Sequence, residues 1–334
     1  MELVEHWSSE TWLAEADSWI RDACERAGLR TLGPAERFAT RFWSVVLTVE
    51  TADGRLWFKE NNPGQGFEAA LSAELVAIAP ASVLAPVAID PGRDRLLTAD
   101  AGPVLSDRGP VSADDWHAIV SRYAKVQRTA SAHRDRMLAT GIPLRPASGA
   151  VAYVVEHVEL LTRTPADHPL HLDADEARAL LRGLPRLADA VAEVEALDIP
   201  DALEHNDLHA GNVFRAPDGG VLLHDFGNAV WGPPFASLAS PMRALRRWEG
   251  DGGPPVARTV DAYLDAWSDT APLGELRRAV PAALRVAGTH RFEALWRVFR
   301  HVPAHHAEGW REYTLDWLRS TVAPEHPLAG ALPR

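Results

Sequence analysis

The stretch His205-Asn206-Asp207-Leu208-His209-Ala210-Gly211-Asn212, followed by Asp225-Phe226-Gly227, constrains this chain more than any other. Asn212 stands five residues after Asp207, and Asp225 stands thirteen after Asn212. The run between the last two reads as a hairpin. Val213-Phe214-Arg215 goes out, Pro217-Asp218-Gly219-Gly220 turns, and Val221-Leu222-Leu223-His224 returns. A tight hairpin folds the chain back, so Asn212 at its start and Asp225 at its end can face one cation. The fold must therefore gather two loops around a single polar site.

The residue types suit phosphoryl transfer. Nucleotide phosphates carry dense negative charge, and Mg²⁺ takes near-octahedral oxygen ligands. The Asp225 carboxylate and the Asn212 amide oxygen can hold such an ion. A third oxygen, on Asp207, stays off the metal to accept the proton of an attacking hydroxyl. An Asp followed five residues later by Asn, and then by a metal-binding Asp before Phe-Gly, is the spacing that kinases use.

These two segments resemble the signature of the aminoglycoside phosphotransferase and choline kinase-like superfamily. The second His and the Gly before Asn212 favour that group over protein kinases, and no Ala-Pro-Glu element follows Asp225. The resemblance implies a two-lobed, protein-kinase-like α+β fold, with a small antiparallel-sheet N-lobe and a larger, mainly helical C-lobe. It also implies ATP or GTP with Mg²⁺ as cofactors and a small-molecule hydroxyl as acceptor. The lobes are expected to divide at residues 1–100, nucleotide-binding, and 101–334, catalytic and substrate-binding.

Composition sets outer bounds. The 334 residues suffice for about two domains by the length prior. A net charge of -12 argues against a nucleic-acid partner and leans towards a cationic acceptor such as an aminoglycoside or amino sugar. The single cysteine, Cys24, cannot form an intrachain disulfide, which fits a reducing cytoplasm. The opening Met1-Glu2-Leu3-Val4-Glu5 is acidic where a secretory signal is basic. The most apolar run, Leu75 to Ile89, is broken by Pro80 and Pro86 and is too short for a bilayer. The expectation is a cytoplasmic protein with no membrane partner, as a monomer or weak dimer.

In the first lobe, Trp12, Ala16, Trp19, Ile20, Ala23 and Ala27 form one stripe of a helix over 10–27, ended by Gly28. Strands follow at 44–50 and 56–59 around Asp53-Gly54, and Lys59 ends the second. Kinases place a lysine there against the α/β-phosphates, paired with a glutamate on the next helix. That helix spans about 67–79. Glu74 lies on its apolar stripe beside Leu71 and Ile78, where an acid needs a partner, so Lys59–Glu74 is the expected pair, with Glu68 as the alternative. Residues 40–43 lack the glycines of a phosphate loop, which leaves the Ser44 hydroxyl or the Arg41 guanidinium for that task. By resemblance, Thr98, Ala99 and Asp100 form the hinge whose backbone meets the nucleobase.

In the second lobe, Ser112-Ala113-Asp114-Asp115 resembles a capping box before a long helix. Residues 152–158 are ambiguous between strand and helix. A helix over 175–197, burying Leu180, Leu181, Leu184, Leu187 and Val191, is expected to kink or break at Gly183 and Pro185. Related enzymes often carry an Asp-Leu pair where this chain has Ser237-Leu238. The remainder, 241–319, reads as helical, with Trp248, Trp267, Trp296, Trp310 and Trp317 mainly in packing roles.

Histidines invite a zinc alternative, since His205 and His209 are four apart and His301, His305 and His306 cluster. Zincins need Glu after the first His, and Asn206 stands there. His205 is assigned to the catalytic loop, and the later histidines to solvated helix ends. The expected protein is a small-molecule kinase. The open alternatives are a choline-, homoserine- or macrolide-type acceptor, or a nucleotide-binding pseudoenzyme of the same fold.

Overall fold

The computed structural model describes residues 2–249 and 254–328. Two helices open the chain, α1 (Leu3–Ser8) and α2 (Glu10–Arg26), separated by Ser9. The Ser9 hydroxyl accepts the Trp12 N–H at 3.2 Å and caps α2. Gly28, at φ +71°, supplies the left-handed residue just past its end.

A five-stranded antiparallel sheet follows: β1 (Glu36–Thr40), β2 (Ser44–Thr51), β3 (Gly54–Asn61), β4 (Pro86–Asp90) and β5 (Arg95–Ala99), in the order β1-β2-β3-β5-β4. Alternation along the strands divides its faces. Val45, Leu47, Val49, Leu56, Phe58 and Leu97 pack on Trp12, Ala16 and Ile20 of α2. Trp57 and Lys59, one residue out of phase with Leu56 and Phe58, therefore point to the opposite, cleft side. Helix α3 (Glu68–Ile78) connects β3 to β4.

A mostly helical part follows: α4 (Ala113–Ser131), α5 (Arg134–Ala139), α6 (Ala150–Arg163) and α7 (Ala174–Glu195). Next come the short strands β6 (Ala202–Glu204), β7 (Val213–Arg215), β8 (Val221–Leu223) and β9 (Val230–Gly232). The chain ends in α8 (Ala239–Glu249), α9 (Pro254–Leu264), α10 (Leu273–Phe299) and α11 (Arg311–Val322). This is the protein-kinase-like α+β architecture that the catalytic segment implies. No helix among the described residues is long and apolar enough to cross a membrane.

Several expectations change in detail. Residues 152–158 are helical, because Ala150, Val154, His157, Val158 and Leu161 recur at helical spacing and are buried. Helix α7 is continuous through Pro185, which lies on the exposed side, where water can serve the carbonyl that loses its N–H partner. Gly183 is a packing residue. A Cβ there would stand 2.6 Å from the Cβ of Val322, so only glycine lets α11 approach so closely. Leu181 is 41% exposed and not on the buried side. Trp267 and Trp317 are buried, whereas the Trp248 side chain lies outside the described residues.

Candidate active site

Strand pairing assembles the site. β6 pairs antiparallel with β9, with Leu203 opposite Trp231, so the loop leaving β6 and the loop arriving at β9 emerge side by side. Between them, β7 and β8 form the hairpin, with Val213 opposite Leu223. The His224 N–H donates to the Asn212 carbonyl at 3.2 Å and ties the hairpin's two ends together. Asn206 and Asp225 both sit at φ +63°, a left-handed conformation uncommon outside glycine and concentrated where a site dictates the backbone.

A buried polar brace holds this loop from below. The Tyr123 hydroxyl donates to the Leu203 carbonyl and accepts the His205 N–H, both at 2.7 Å. Gln127 Nε2 donates to the same carbonyl at 2.7 Å and to Ser237 Oγ at 3.2 Å. Ser237 is 3% exposed and so belongs to this brace and not to a cavity wall. His205 is fully buried, with Nε2 donating to the His224 carbonyl at 3.1 Å and its ring 4.7 Å from that of Phe226. Burial lowers its pKa, keeping it neutral. His205, expected in the catalytic loop, is buried within it and bonds backbone there. It couples the Asp207 loop to the backbone just before Asp225.

Asp207 has both carboxylate oxygens engaged. Oδ1 accepts from Arg291 Nη2 at 2.9 Å, and Oδ2 accepts from Asn228 Nδ2 at 3.1 Å. Burial opposes the charge on Arg291, but Asp207 outweighs it and raises the guanidinium pKa further. Asn212 Nδ2 donates to the Asp207 carbonyl at 3.0 Å, which turns its amide oxygen away from that carbonyl. His209 Nδ1 accepts the Gly211 N–H at 3.0 Å, and its Nε2 lies 4.0 Å from Asp207 Oδ1. Of the later histidines, His306 is half-buried against Phe42 and Glu2 and is not a solvated helix end.

Lys59 joins the two halves of the site. Its Nζ donates to Glu68 Oε2 at 2.7 Å and to Asp225 Oδ1 at 2.8 Å. The expected Lys59–Glu74 pair is not formed; Glu74 bonds Arg136 Nη2 at 2.6 Å. The reason is helical geometry. Glu68 opens α3 beside the end of β3, whereas Glu74 is six residues on, about 9 Å further along the axis. Burial disfavours the charge on Asp225, but Lys59 overrides it and holds that carboxyl well below its usual range. With one ammonium shared between two acids, burial pushes Glu68 up to about 7. Burial also lowers the His224 pKa to about 4.

Two cavities meet at Lys59 and Asp225. The larger, about 680 Å³, lies under the sheet and is lined by Ser44, Lys59, Thr98, Ala99, Asp100 and Asp225. Arg41 reaches it from the β1–β2 turn, which is closed by Arg41 N–H donating to the Ser44 carbonyl at 2.8 Å. The Asp100 amide donates to the Arg55 carbonyl at 3.0 Å, so that N–H is already engaged. The smaller, about 250 Å³, holds Asp207, Asn212, Asp225 and Lys59 against Arg291, Asn228 and an aromatic wall. Glu74 lines neither. Arg291 and Asn228 escaped the sequence reading. An arginine inside a long helix carries no motif, whereas Asn228, directly after Asp225-Phe226-Gly227, was within reach of one.

No curated protein matches the chain by sequence. Solved structures resemble it at low identity. *Plasmodium vivax* ethanolamine kinase has a TM-score of 0.60 at 12% identity, covering 90% of this chain and 83% of its own. Macrolide 2'-phosphotransferase from *Brachybacterium faecium* has a TM-score of 0.56 at 16% identity, covering 93% and 98%. Choline kinase from *Streptococcus pneumoniae* has a TM-score of 0.56 at 15% identity, covering 92% and 98%. A family model, described as the phosphotransferase enzyme family, matches residues 35–276, more than half of the chain and all of the loops and strands that form the site. The chain belongs to the phosphotransferase enzyme family.

Proposed function

We propose that the protein transfers the γ-phosphoryl group of ATP or GTP to a hydroxyl of a small molecule. The nucleotide occupies the larger cavity, with its base against Thr98, Ala99 and Asp100 and its phosphates reaching Lys59, Ser44 and Arg41. Residues 1–100 act as the nucleotide-binding lobe and 101–334 as the catalytic one. Asn212 and Asp225 offer one amide and one carboxylate oxygen, a donor set that fits Mg²⁺, which neutralises phosphate charge when bound. Glu68 holds Lys59 towards the phosphates.

Asp207 orients the acceptor hydroxyl and takes its proton as the hydroxyl oxygen bonds to phosphorus. The bond from phosphorus to the nucleoside diphosphate breaks in the same transfer. Arg291 and Asn228 fix the Asp207 carboxylate. A base held this way contributes through positioning, which together with electrostatic stabilisation supplies most of the rate in such reactions.

One observation carries the reading. Asp207 opens onto the same cavity as Asn212, Asp225 and Lys59, the last brought in from the sheet. The test is Mg-nucleotide turnover with a panel of alcohols, comparing wild type with Asp207→Ala. The variant is expected to bind nucleotide and to lose transfer. Wild-type-like transfer in the variant would refute the assignment.

A further inference from the structure

We propose that the acceptor is an uncharged polyhydroxy compound about the size of one sugar ring, a pyranose or cyclitol. This rests on the phosphotransferase reading and extends it to the acceptor.

Charge comes first. Each carboxylate facing the 250 Å³ cavity already has a cationic partner: Lys59 on Asp225 at 2.8 Å and Arg291 on Asp207 at 2.9 Å. Among the described residues that line the cavity there is no third carboxylate. An ammonium group entering here finds no acid left to pair with and meets the Arg291 guanidinium beside Asp207. Repulsive elements of this kind select against a class of ligand as effectively as attractive contacts select for one. The overall charge of -12 favours cations only at long range, because the excess acids lie outside this cavity.

Shape comes next. Phe42 and Trp43, on the turn before β2, and Trp310, just before α11, form one wall. Ring centroids are 4.6 Å apart for Phe42–Trp43 and 5.6 Å for Trp43–Trp310, each edge to face. Leu295 and Val298 of α10 continue it. Such a wall suits the C–H face of a saturated ring. It could also suit a quaternary ammonium, but the guanidinium and the lack of a free acid oppose that. At about 250 Å³ the cavity is smaller than the roughly 300–1,000 Å³ typical of drug-sized sites, a volume that suits a single ring.

Polar groups complete the match. Gln65, His209 and Asn228 line the cavity and can donate or accept. Arg291 is 6% exposed and uses Nη2 for Asp207 and for the Tyr313 hydroxyl. Its Nε and Nη1 are buried and find no acceptor among the described residues. The uncharged amides of Gln65 and Asn228 suit an acceptor with several hydroxyl groups over one rich in amines.

The test measures Mg-ATP- and Mg-GTP-dependent transfer to matched pairs: glucose with glucosamine, and myo-inositol with an amino-inositol. Choline and kanamycin serve as small and large cations. The uncharged member of at least one pair is expected to show a kcat/KM at least tenfold above its amino counterpart and above both cations. Trp310→Ala is expected to raise acceptor KM at least tenfold more than nucleotide KM, with folding checked by the nucleotide-induced shift in Tm. Preference for the amino member, or no transfer to any uncharged acceptor, overturns the inference. Transfer to cations alone would leave the phosphotransferase reading standing, whereas failure to bind Mg-nucleotide would overturn both.

Discussion

Lys59 and Asp225 lie 166 residues apart in the chain, yet their side chains meet at 2.8 Å across the cleft. One comes from the sheet and the other from the loop after the hairpin. Their contact is therefore a direct report of how the sheet is seated on the helical part.

Replacing Lys59 with Met is expected to lower kcat/KM at least 100-fold. Lys59→Met/Asp225→Asn should cost less than the two single losses multiplied, because partners in contact are not additive. Steady-state kinetics on the four-member cycle measures this. Full additivity would mean that the contact has no energetic weight.

The switch from Glu74 to Glu68 gives a sharper contrast. Glu68→Gln weakens the grip on Lys59 and should reduce turnover at least tenfold. Glu74→Gln loses only a half-exposed pair with Arg136, about 0–1 kcal/mol, and should stay within twofold of wild type. Equal losses in the two variants would contradict the geometry.

Glu60 fastens the N-terminal helices to the sheet. Its Oε1 accepts the indole N–H groups of Trp7 at 2.9 Å and Trp12 at 3.1 Å, and its Oε2 accepts from Arg95 Nε at 2.6 Å. Glu60→Leu leaves two indoles without this acceptor and the buried Arg95 guanidinium with only the longer contact to Glu15 at 3.5 Å, and is expected to cost about 3–5 kcal/mol. Urea unfolding followed by tryptophan fluorescence reads that loss, and Glu60→Gln should recover part of it.

Stability should fall on the acid side. Burial depresses the His224 pKa to about 4, with its ring stacked 4.5 Å from Phe214. The unfolded chain binds this proton near pH 6.5 and the folded one only near 4. The contribution is therefore complete above 6.5, declines as pH drops through that window, and is gone below it. At pH 5 the loss is about 2 kcal/mol. Thermal melts at pH 8 and pH 5 should show a smaller drop for His224→Phe than for wild type; an identical drop would exclude His224 as the source.

The amino-acid sequence alone determined the two loops and the hairpin between them. Asp207, Asn212 and Asp225 are tied by short spacings that leave the backbone few alternatives, and the run of residues between them turns where Gly219 sits. It also determined α2, its glycine stop and the β2–β3 pair, each from local periodicity. Tertiary structure decided what meets the loops from a distance. Lys59 chose Glu68 because the start of α3 lies against β3. Asp207 acquired Arg291 from inside α10, and Phe42, Trp43 and Trp310 became one wall. Local patterns describe a residue's neighbours within a turn or a hairpin. Contacts across 84 residues, as between Asp207 and Arg291, exist only once packing has set which faces touch.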